Sequence, residues 1–589
     1  MYKIIQKGFR ITVSAKPVLF FAEYFFTFCD ALLLALSAEY MRKFFDTIFH
    51  TSQQLDISAM VKSLCIFAGI KILDEIADGL SNFLGEYYSD YAAEKVLQVL
   101  NEKTSKLPAV FFEDTVCLEM KTKAYGSCYA VRRLVHVIMD ILTLYLPYFV
   151  CMFIWLYRMS AVLTLVIPCI FFPVFISHCI RSKYYTVLED TLGYLNRKQE
   201  HYKACITSRA FLKETRCFGA EQFFLEKYKA VITEIQIAKL RIEIKSIVTK
   251  AAAHMATLLG LAGIFILLIV LILQGSINAA IFSVIVYALM DMYSLMEEVF
   301  DFRLGELAES AGKIKNYFTY LDTPEDETDG SGCIDTIDSI TFENVSFTYP
   351  QSEKKVLENI QCTINKHEMV VIVGENGSGK TTLSKLLLGL YRPSAGTIKL
   401  NGIDTQLLDK KAVQAHFSAV FQEHCRYALT VGDNVAIGDF PQLHEPDIDN
   451  LITQSIQKAD FRIDGIPDAA VLRLTQLGKT FGGMDVSGGQ WQRLSTARCL
   501  FRNASILVLD EPSSAIDPAE EARILKQFLR FAENRTCVII SHRIGLGKYA
   551  DNIIVMKNGR IVETGTHSAL MQNNSEYARL YTAQAAHYQ

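Results

Sequence analysis

Long apolar stretches dominate the first half of the chain, and shorter apolar runs separated by turns dominate the second half. A helix of about 20 residues, rising 1.5 Å per residue, crosses the hydrocarbon core of a bilayer. Stretches close to that length lie, in chain order, at residues 17–38, 57–80, 141–157, 159–180 and in the two halves of 251–290. Gln274, Gly275 and Ser276 interrupt the last stretch and favour a short external turn. The pattern therefore predicts six membrane spans in three adjacent pairs.

The segments between the spans differ in length and in charge. Residues 81–140 and 181–250 combine helical apolar periodicity with many Lys and Arg residues, whereas the segments on the opposite side are short. The positive-inside rule places both long segments and the N-terminus in the cytoplasm. Residues 1–16 are predicted to form an amphipathic helix on the cytoplasmic membrane surface. A cleaved signal is disfavoured because Glu23 and Asp30 interrupt the apolar run that follows.

Each long cytoplasmic segment is predicted to be a helical hairpin whose tip can be located. Pro108 interrupts the first helix, and Glu113 and Asp114 suit the start of the next one. The second tip is expected near residues 208–214, ahead of Gly219. Hairpins that extend this far from a bilayer are easiest to explain if they contact another part of the protein inside the cell. Ordinary solvated turns are an equally weighted alternative.

Acidic residues within the weaker spans are the clue to a cargo. They are Glu23, Asp30, Asp74, Asp78, Asp291 and Glu298. Ionisable groups at membrane depth are costly and face a wet cavity or a charged partner. Two interpretations stay open. The carboxylates pair with Lys71 or lie at headgroup level, or they line an acidic central cavity that suits a cationic or polar cargo.

A domain boundary is predicted at residues 322–335, which are acidic, small and turn-forming. Beyond it, short alternating strands such as residues 339–347 lead into βαβ-like units typical of the α/β class. The prediction is an all-α membrane domain at residues 1–321, a linker at 322–335 and an α/β domain at 336–589.

A buried-strand run at residues 370–373 leads directly into a glycine-rich loop and then into a helical stretch. The loop has the spacing G-x-x-x-x-G-K-T, and its residues are Gly374, Glu375, Asn376, Gly377, Ser378, Gly379, Lys380, Thr381 and Thr382. Glycines let backbone N–H groups converge on phosphates at the positive end of a helix. Lys380 is expected to neutralise phosphate charge, and Thr381 to offer a hydroxyl to Mg²⁺. This strand–loop–helix context predicts a nucleoside triphosphate site.

A second strand-like run, residues 506–509, ends in Asp510 and Glu511. Asp510 is placed to hold the Mg²⁺ shell, and Glu511 can orient the attacking water as a general base. An apolar run that ends in two acidic residues is weak evidence alone, but it becomes strong after a phosphate loop. The two motifs together predict hydrolysis as well as binding.

The segment between these motifs carries a family resemblance. Residues 486–493 read Val-Ser-Gly-Gly-Gln-Trp-Gln-Arg, which resembles the signature sequence of ATP-binding-cassette (ABC) ATPases, with Val486 where Leu is usual. The resemblance implies that Tyr349 stacks on adenine and that His542 contacts the γ-phosphate. It also implies that Gln422 senses the γ-phosphate and joins the metal shell. Gln476 is a departure, because many exporters carry Glu at this place.

The resemblance assigns further residues to the nucleotide site. The signature residues are Ser487, Gly488, Gly489 and Gln490, and Asp517 lies in a loop that communicates across a dimer. Phosphate loop and signature face each other across two subunits in this family, so the chain is identified as a half-transporter that works as a dimer. A homodimer is favoured because Lys380, Gln422, Asp510, Glu511 and His542 are all present, and a heterodimer stays possible.

The implied fold is a multidomain membrane protein with a six-helix all-α transmembrane domain and long cytoplasmic hairpins, followed by an α/β P-loop ATPase cassette. The implied function is ATP-driven, Mg²⁺-dependent export of a peptide, drug-like compound or lipid by alternating access. An importer of metal-chelate type built on this fold, and an ATP-gated regulator or channel, are the alternatives. The bilayer is an expected partner, and a bacterial inner membrane with a cytoplasmic ATPase domain is the expected location.

Composition excludes other classes. The 589-residue chain is 51 % apolar and carries a formal net charge of −4, so no basic field indicates a nucleic-acid partner. Its 14 cysteines contain no C-x-x-C pair. They are expected to be reduced structural residues that face lipid, core or cytosol.

Overall fold

The structure is a computed structural model of the full chain. It describes residues 2–51, 57–159, 161–274, 277, 279–326, 330–511, 530 and 535–586. These residues divide into two compact units. The first contains residues 1–106 and 119–323, and the second contains residues 107–118 and 324–589. The division after Thr323 falls within the predicted linker, residues 322–335. That residues 107–118 belong to the second unit was not predicted from the sequence.

Helices joined by short turns make up the described part of the first unit. Its helices are α1 (Tyr2–Val13), α2 (Pro17–Thr51), α3 (Ile57–Ser105), α4 (Thr115–Tyr125), α5 (Cys128–Asp140), α6 (Leu146–Met159), α7 (Ala161–Thr207), α8 (Arg209–Cys217), α9 (Glu221–Leu273), α10 (Ala279–Glu297) and α11 (Leu304–Leu321). Helix α9 is 53 residues long and α3 is 49. Both are far longer than a bilayer requires. The predicted spans therefore continue as helices into the polar segments without a break.

Three helical stretches in the described part of the chain are long and apolar enough to cross a membrane. They are Pro17–Ile48, Cys128–Met159 and Glu221–Leu273. Each contains one of the six predicted spans. The other three predicted spans lie in α3, α7 and α10, so the count of six stays a prediction.

The second of these stretches is continuous across a local change of helix type. A π-helical turn at Ile141–Tyr145 joins α5 to α6. Pro147 follows it in the first turn of α6 and has no N–H to donate to the carbonyl one turn earlier. A wider turn accommodates the missing bond while the helix continues.

Small residues allow the helices of the first unit to pack closely. Ala31, Ala35 and Ala38 recur along one face of α2 and are buried in a cluster with Tyr148 and Met152 of α6. Between membrane helices there is little hydrophobic driving force, so close van der Waals contact at small residues stabilises the association. Large apolar residues on α9, such as Leu259, Ile266 and Leu273, are exposed. An apolar surface of this kind suits contact with lipid.

The second unit contains two sheets. Its strands are β1 (Ser339–Phe347), β2 (Leu357–Asn365), β3 (Met369–Gly374), β4 (Ala395–Leu400), β5 (Ile403–Asp404), β6 (Phe417–Val420), β7 (Ile506–Asp510), β8 (Thr536–Ile540), β9 (Asn552–Lys557) and β10 (Arg560–Gly565). The orders are β2-β1-β4-β5 and β10-β9-β3-β8-β7-β6. In the larger sheet β6, β7, β8, β3 and β9 are parallel neighbours. Its central strands are buried over their whole length, as expected of parallel sheets covered on both faces.

Side chains along each central strand alternate between two cores. Val370 and Ile372 belong to the cluster that also contains Leu383, whereas Val371 and Val373 belong to the cluster on the opposite face. The alternation follows from the two-residue period of a strand.

Eight helices of the second unit surround these sheets in the described residues. They are α12 (Lys380–Leu387), α13 (Lys410–Ala415), α14 (Val431–Ala436), α15 (Ile448–Lys458), α16 (Ala469–Leu474), α17 (Gly488–Arg502), α18 (His567–Gln572) and α19 (Glu576–Ala586). Helix α12 packs on one face of the parallel sheet, and α18 and α19 on the other. Helices α14 to α17 share a separate core around Trp491.

Candidate nucleotide-binding site

The parallel sheet explains why distant motifs meet. Strands β3, β6, β7 and β8 run in the same direction, so their carboxyl ends lie at one edge. Ligands of open α/β sheets bind outside that edge. The phosphate loop follows β3, Gln422 follows β6, Glu511 follows β7 and His542 follows β8. Residues scattered over more than half of the second unit are thereby brought together.

Backbone geometry in the phosphate loop requires glycine. Gly377 and Gly379 have φ angles of +77° and +100°. A Cβ at Gly379 would lie 2.6 Å from Leu357 Cδ2, and one at Gly374 would lie 2.2 Å from the carbonyl oxygen of Met556. Because α12 begins at Lys380, the N–H groups of its first turn open onto the loop. The loop fits a phosphate group.

Lys380 is held across the phosphate loop. Its Nζ donates to the carbonyl oxygens of Gly374 at 2.9 Å and Glu375 at 3.0 Å. Burial lowers the pKa of Lys380, and the nearby charges of Glu511 and Asp510 oppose that shift. A buried ammonium group with carbonyl partners is placed to receive an anion.

One cavity of about 450 Å³ gathers most of the predicted catalytic residues. Its lining consists of Val356, Asn376, Gly377, Gly379, Lys380, Thr381, Thr382, Gln422, Glu511 and His542. Val356 is the only member of this lining that the sequence analysis did not select. It precedes β2, where no chemical motif marks it.

Glu511 is the centre of a polar group within this cavity. Gln422 Nε2 donates to Glu511 Oε2 at 2.9 Å, and His542 Nδ1 lies 3.4 Å from Glu511 Oε1. Glu511 has φ +45°, which is uncommon for a residue with a side chain. Its backbone N–H donates to the carbonyl oxygen of Ile540 at 2.9 Å and stabilises this conformation. Local strain of this kind occurs where the surrounding structure fixes a functional side chain.

Asp510 is buried beneath the cavity and is only partly satisfied. Ser384 Oγ donates to Asp510 Oδ2 at 3.3 Å, while Oδ1 has no hydrogen-bond partner among the described residues. Burial raises the pKa of Asp510. The described residues contain no cluster of three or more His, Cys, Asp or Glu side chains that could hold a metal alone. Asp510, with the Ser384 hydroxyl beside it, fits a Mg²⁺ ion whose remaining ligands are phosphate oxygens and water.

Gly374, Glu375, Ser378, Asp510, Tyr349 and the signature residues lie outside this cavity lining. Tyr349 packs edge-to-face on Phe347 with ring centroids 5.1 Å apart, and its hydroxyl is 3.1 Å from Thr382 Oγ1. The signature residues lie at the start of α17, where Ser487 and Gln490 form a capping box. None of Ser487, Gly488, Gly489 and Gln490 lines the cavity of the same chain. Asp517 lies outside the described residues.

The first hairpin tip belongs to the second unit and contacts its core. Glu113 Oε1 accepts hydrogen bonds from Lys385 Nζ at 2.9 Å and from the Tyr391 hydroxyl. Tyr391 in turn stacks on Phe347, with centroids 5.3 Å apart and planes at 7°. Asp114, the second predicted start residue, accepts from the Val116 N–H at 2.8 Å at the beginning of α4. Glu113 thus has a tertiary role that the sequence pattern did not reveal.

An ion pair between the phosphate loop and α19 was also not predicted from the sequence. Arg579 on α19 donates to Glu375 Oε1 at 2.6 Å and to Glu576 Oε1 at 2.6 Å. The pairing joins residues about 200 positions apart, which no local motif encodes. Proximity to Arg579 and Lys557 lowers the pKa of Glu576 to about 2.

Comparison with known proteins agrees with this geometry. The family model described as ABC transporter matches residues 357–514. The subtilin transport ATP-binding protein SpaT of Bacillus subtilis is 28 % identical over 98 % of this chain and 94 % of its own length. The nisin transport ATP-binding protein NisT of Lactococcus lactis subsp. lactis is 36 % identical over 42 % of this chain and 41 % of its own length.

Further likeness covers both halves of the chain. The ATP-dependent lipid A-core flippase of Legionella pneumophila (strain Lens) is 28 % identical over 86 % of this chain and 85 % of its own length. A solved bacterial Atm1-family ABC exporter with ATP bound superposes with a TM-score of 0.79 over 98 % of both chains, at 20 % identity. The structural likeness establishes the fold.

The chain carries an ABC transporter cassette at residues 357–514 after a helical N-terminal domain, and it has the fold of a solved ABC exporter. It is an ATP-hydrolysing transporter, and the importer alternative is not favoured. The predictions of family, fold class and ATP-driven transport are confirmed. Nucleotide binding by the cassette follows from the same findings.

Proposed function

We propose that the chain forms a homodimer in a bacterial inner membrane and exports a peptide at the expense of ATP. The observation that carries the ATPase chemistry is the convergence of Lys380, Gln422, Glu511 and His542 on one cavity. A relative that aligns over 98 % of this chain and 94 % of its own length is named for the transport of subtilin, which favours peptide cargo. Lipid is the second candidate, because other relatives are named as lipid A-core flippases.

The main polar residues of the site each have a proposed role. The phosphate-loop N–H groups and Lys380 bind the β- and γ-phosphates. Glu511 accepts a proton from the attacking water, while Gln422 and His542 hold its carboxylate in place. Asp510, Thr381 and Gln422 would hold Mg²⁺, which would neutralise the charge that develops on the phosphate.

The composition of the site within one chain supports the proposed dimer. The signature residues 487–490 do not line the cavity of their own chain, so the face opposite the phosphate loop is open to a second cassette. Gly488 and Gly489 of a partner copy have exposed or half-exposed positions at a helix start, which suits a contact with the γ-phosphate. The catalytic set in this chain makes a second identical copy sufficient.

Steady-state ATP hydrolysis by the purified chain in lipid nanodiscs tests this proposal. We expect Mg²⁺-dependent turnover that falls by about a thousandfold in Glu511→Gln, because the amide cannot accept the proton. Glu445→Gln, an exposed change elsewhere on the cassette, is the matched control and should keep full turnover. Folded, nucleotide-binding protein with no turnover would contradict the homodimer.

The cargo class is tested by flux. Inside-out vesicles that contain the chain should accumulate a labelled peptide when ATP is added, and Glu511→Gln vesicles should not. Vesicles that move a labelled lipid between leaflets but leave peptides untouched would transfer the proposal to lipid export.

A further inference from the structure

The first unit contains a polar cavity that the ATPase chemistry does not use. It has a volume of about 510 Å³ and lies between α2, α3, α5 and the segment that joins α10 to α11. Several acidic residues singled out in the sequence meet here, including Glu23, Asp30, Asp78 and Glu298. Glu23 and Asp30 lie on α2, Asp78 on α3 and Glu298 between α10 and α11, so helical spacing alone could not bring all four together.

Negative groups outnumber positive ones around this cavity. Seven carboxylates and three guanidinium groups line it. Two of the three arginines are engaged by carboxylates: Arg133 lies 2.8 Å from Glu306, and Arg303 lies 3.1 Å from Glu298 and 3.4 Å from Asp140. The cavity therefore has an excess of negative charge in a region of low dielectric constant, where the field of an uncompensated charge is strong.

Glu23 is the most deeply buried carboxylate of this cavity. Its side chain is only 4 % exposed. One oxygen, Oε1, lies 3.7 Å from His136 Nδ1, which also receives the Tyr24 hydroxyl at 3.0 Å. The other oxygen, Oε2, is buried and has no hydrogen-bond partner among the described residues. A carboxylate buried in this way is costly to keep ionised, and a cation that joins it offsets that cost.

A glycine on the facing helix leaves room beside Glu23. A Cβ at Gly85 of α3 would lie 2.9 Å from Glu23 Oε1. Glycine in the interior of a long helix weakens that helix. At this position the absence of a side chain avoids a clash with Glu23. Gly85 and Glu23 both line the cavity.

We propose that this cavity binds the ammonium or guanidinium group of the exported cargo, with Glu23 as the counter-ion. The proposal rests on the peptide export proposed above. It specifies a peptide that is rich in Lys or Arg. A metal ion is disfavoured, because the described residues show no cluster of ligands able to hold one. The volume accommodates a cationic side chain and part of its backbone.

Peptide binding to the full-length chain, without nucleotide, tests the assignment. The protein is reconstituted in phosphatidylcholine nanodiscs, whose neutral lipid does not attract basic peptides. The probes are a short fluorescein-labelled peptide of alternating Ala and Lys, and the same peptide with norleucine at each Lys. Fluorescence anisotropy gives the Kd of each, and empty nanodiscs give the background.

The expected result is specific for charge. Glu23→Gln should raise the Kd of the lysine peptide by about tenfold or more and leave the norleucine peptide unchanged. Gly85→Ala, which crowds Glu23 without removing its charge, should also raise the Kd of the lysine peptide. Glu234→Gln, an exposed change on α9, is the matched control and should have no effect. Glu23→Asp should restore part of the affinity.

Other outcomes overturn the proposal. Equal binding of the two peptides by the wild-type chain would do so even if the Glu23 variants failed to fold. Unchanged lysine-peptide affinity in folded Glu23→Gln protein would do so as well. ATP turnover measured on the same samples keeps the two proposals apart: without turnover peptide export fails, whereas the binding difference still reports on the cavity.

Discussion

At the scale of single residues, Gly379 is constrained by both backbone and space. Its φ of +100° and the 2.6 Å approach of Leu357 Cδ2 to a would-be Cβ act together. We expect Gly379→Ala to raise the Kd for ATP by about tenfold or more, since displaced backbone N–H groups no longer converge on the phosphates. Binding of a fluorescent ATP analogue to the purified chain measures this change.

Gly402, which lies outside the phosphate loop, is a control for the effect of a left-handed backbone alone. Gly402 has φ +82°, but a Cβ there would meet nothing within 4 Å. Gly402→Ala should cost about 1 kcal/mol of stability through its backbone alone and leave nucleotide affinity unchanged. If both variants bound ATP equally well, the close approach to Leu357 would have no bearing on the site.

Residues of the phosphate loop were predictable because their spacing and their place after a strand encode their geometry. Glu511 was predicted from its place after a strand-like run that ends in Asp510, and His542 from the resemblance to ABC ATPases. The left-handed φ of Glu511 and the pairing of Arg579 with Glu375 were not. They depend on strands and helices that are distant in sequence, and no local pattern records them.

At the scale of elements, the hairpin tip at residues 107–118 belongs to the second unit, where Glu113 accepts a hydrogen bond from Lys385. We expect Glu113→Gln to keep basal ATP turnover and lose most of its stimulation by cargo peptide, because Lys385 on α12 no longer meets a carboxylate. Turnover with and without peptide, beside Glu102→Gln on α3 as control, measures the effect. Full stimulation in Glu113→Gln would show that the contact transmits nothing.

The stability that the Glu113 contact contributes depends on pH. Hydrogen bonds from Tyr391 and Lys385 lower the pKa of Glu113. A lowered carboxylate pKa stabilises the contact at pH values above the ordinary range near 4.3, and this contribution is lost as pH falls through the lower, folded-state value. Because Glu113 is partly exposed, we expect at most about 1 kcal/mol. Thermal unfolding of the wild type and Glu113→Gln should differ at pH 7 and converge toward pH 3.

Element types followed from sequence more readily than element limits. Apolar stretches predicted helices at every described candidate span, yet α3 and α9 extend far beyond any bilayer. Their continuation depends on helical periodicity in polar segments, where α3 and α9 pack against α2 and α7. The π-helical turn before Pro147 could not be predicted, since a proline equally often ends a helix.

At the scale of the whole molecule, an ATP site shared between two chains predicts complementation. Lys380→Ala disables the phosphate loop, and Gly488→Asp places a carboxylate at the helix start that would face the γ-phosphate of a partner. The position tolerates a side chain, because a Cβ at Gly488 meets nothing within 4 Å, and Asp suits the first turn of a helix. Each variant alone should therefore fold and fail to hydrolyse ATP.

Mixing the two variants should restore activity. A mixed dimer has one site in which both the phosphate loop and the facing signature are intact. Random pairing makes half of the dimers mixed, so about a quarter of wild-type turnover is the upper limit. Verified mixed dimers without turnover would mean that both sites must be intact together. Activity in Gly488→Asp alone would mean that each chain completes its own site, and the shared arrangement would be wrong.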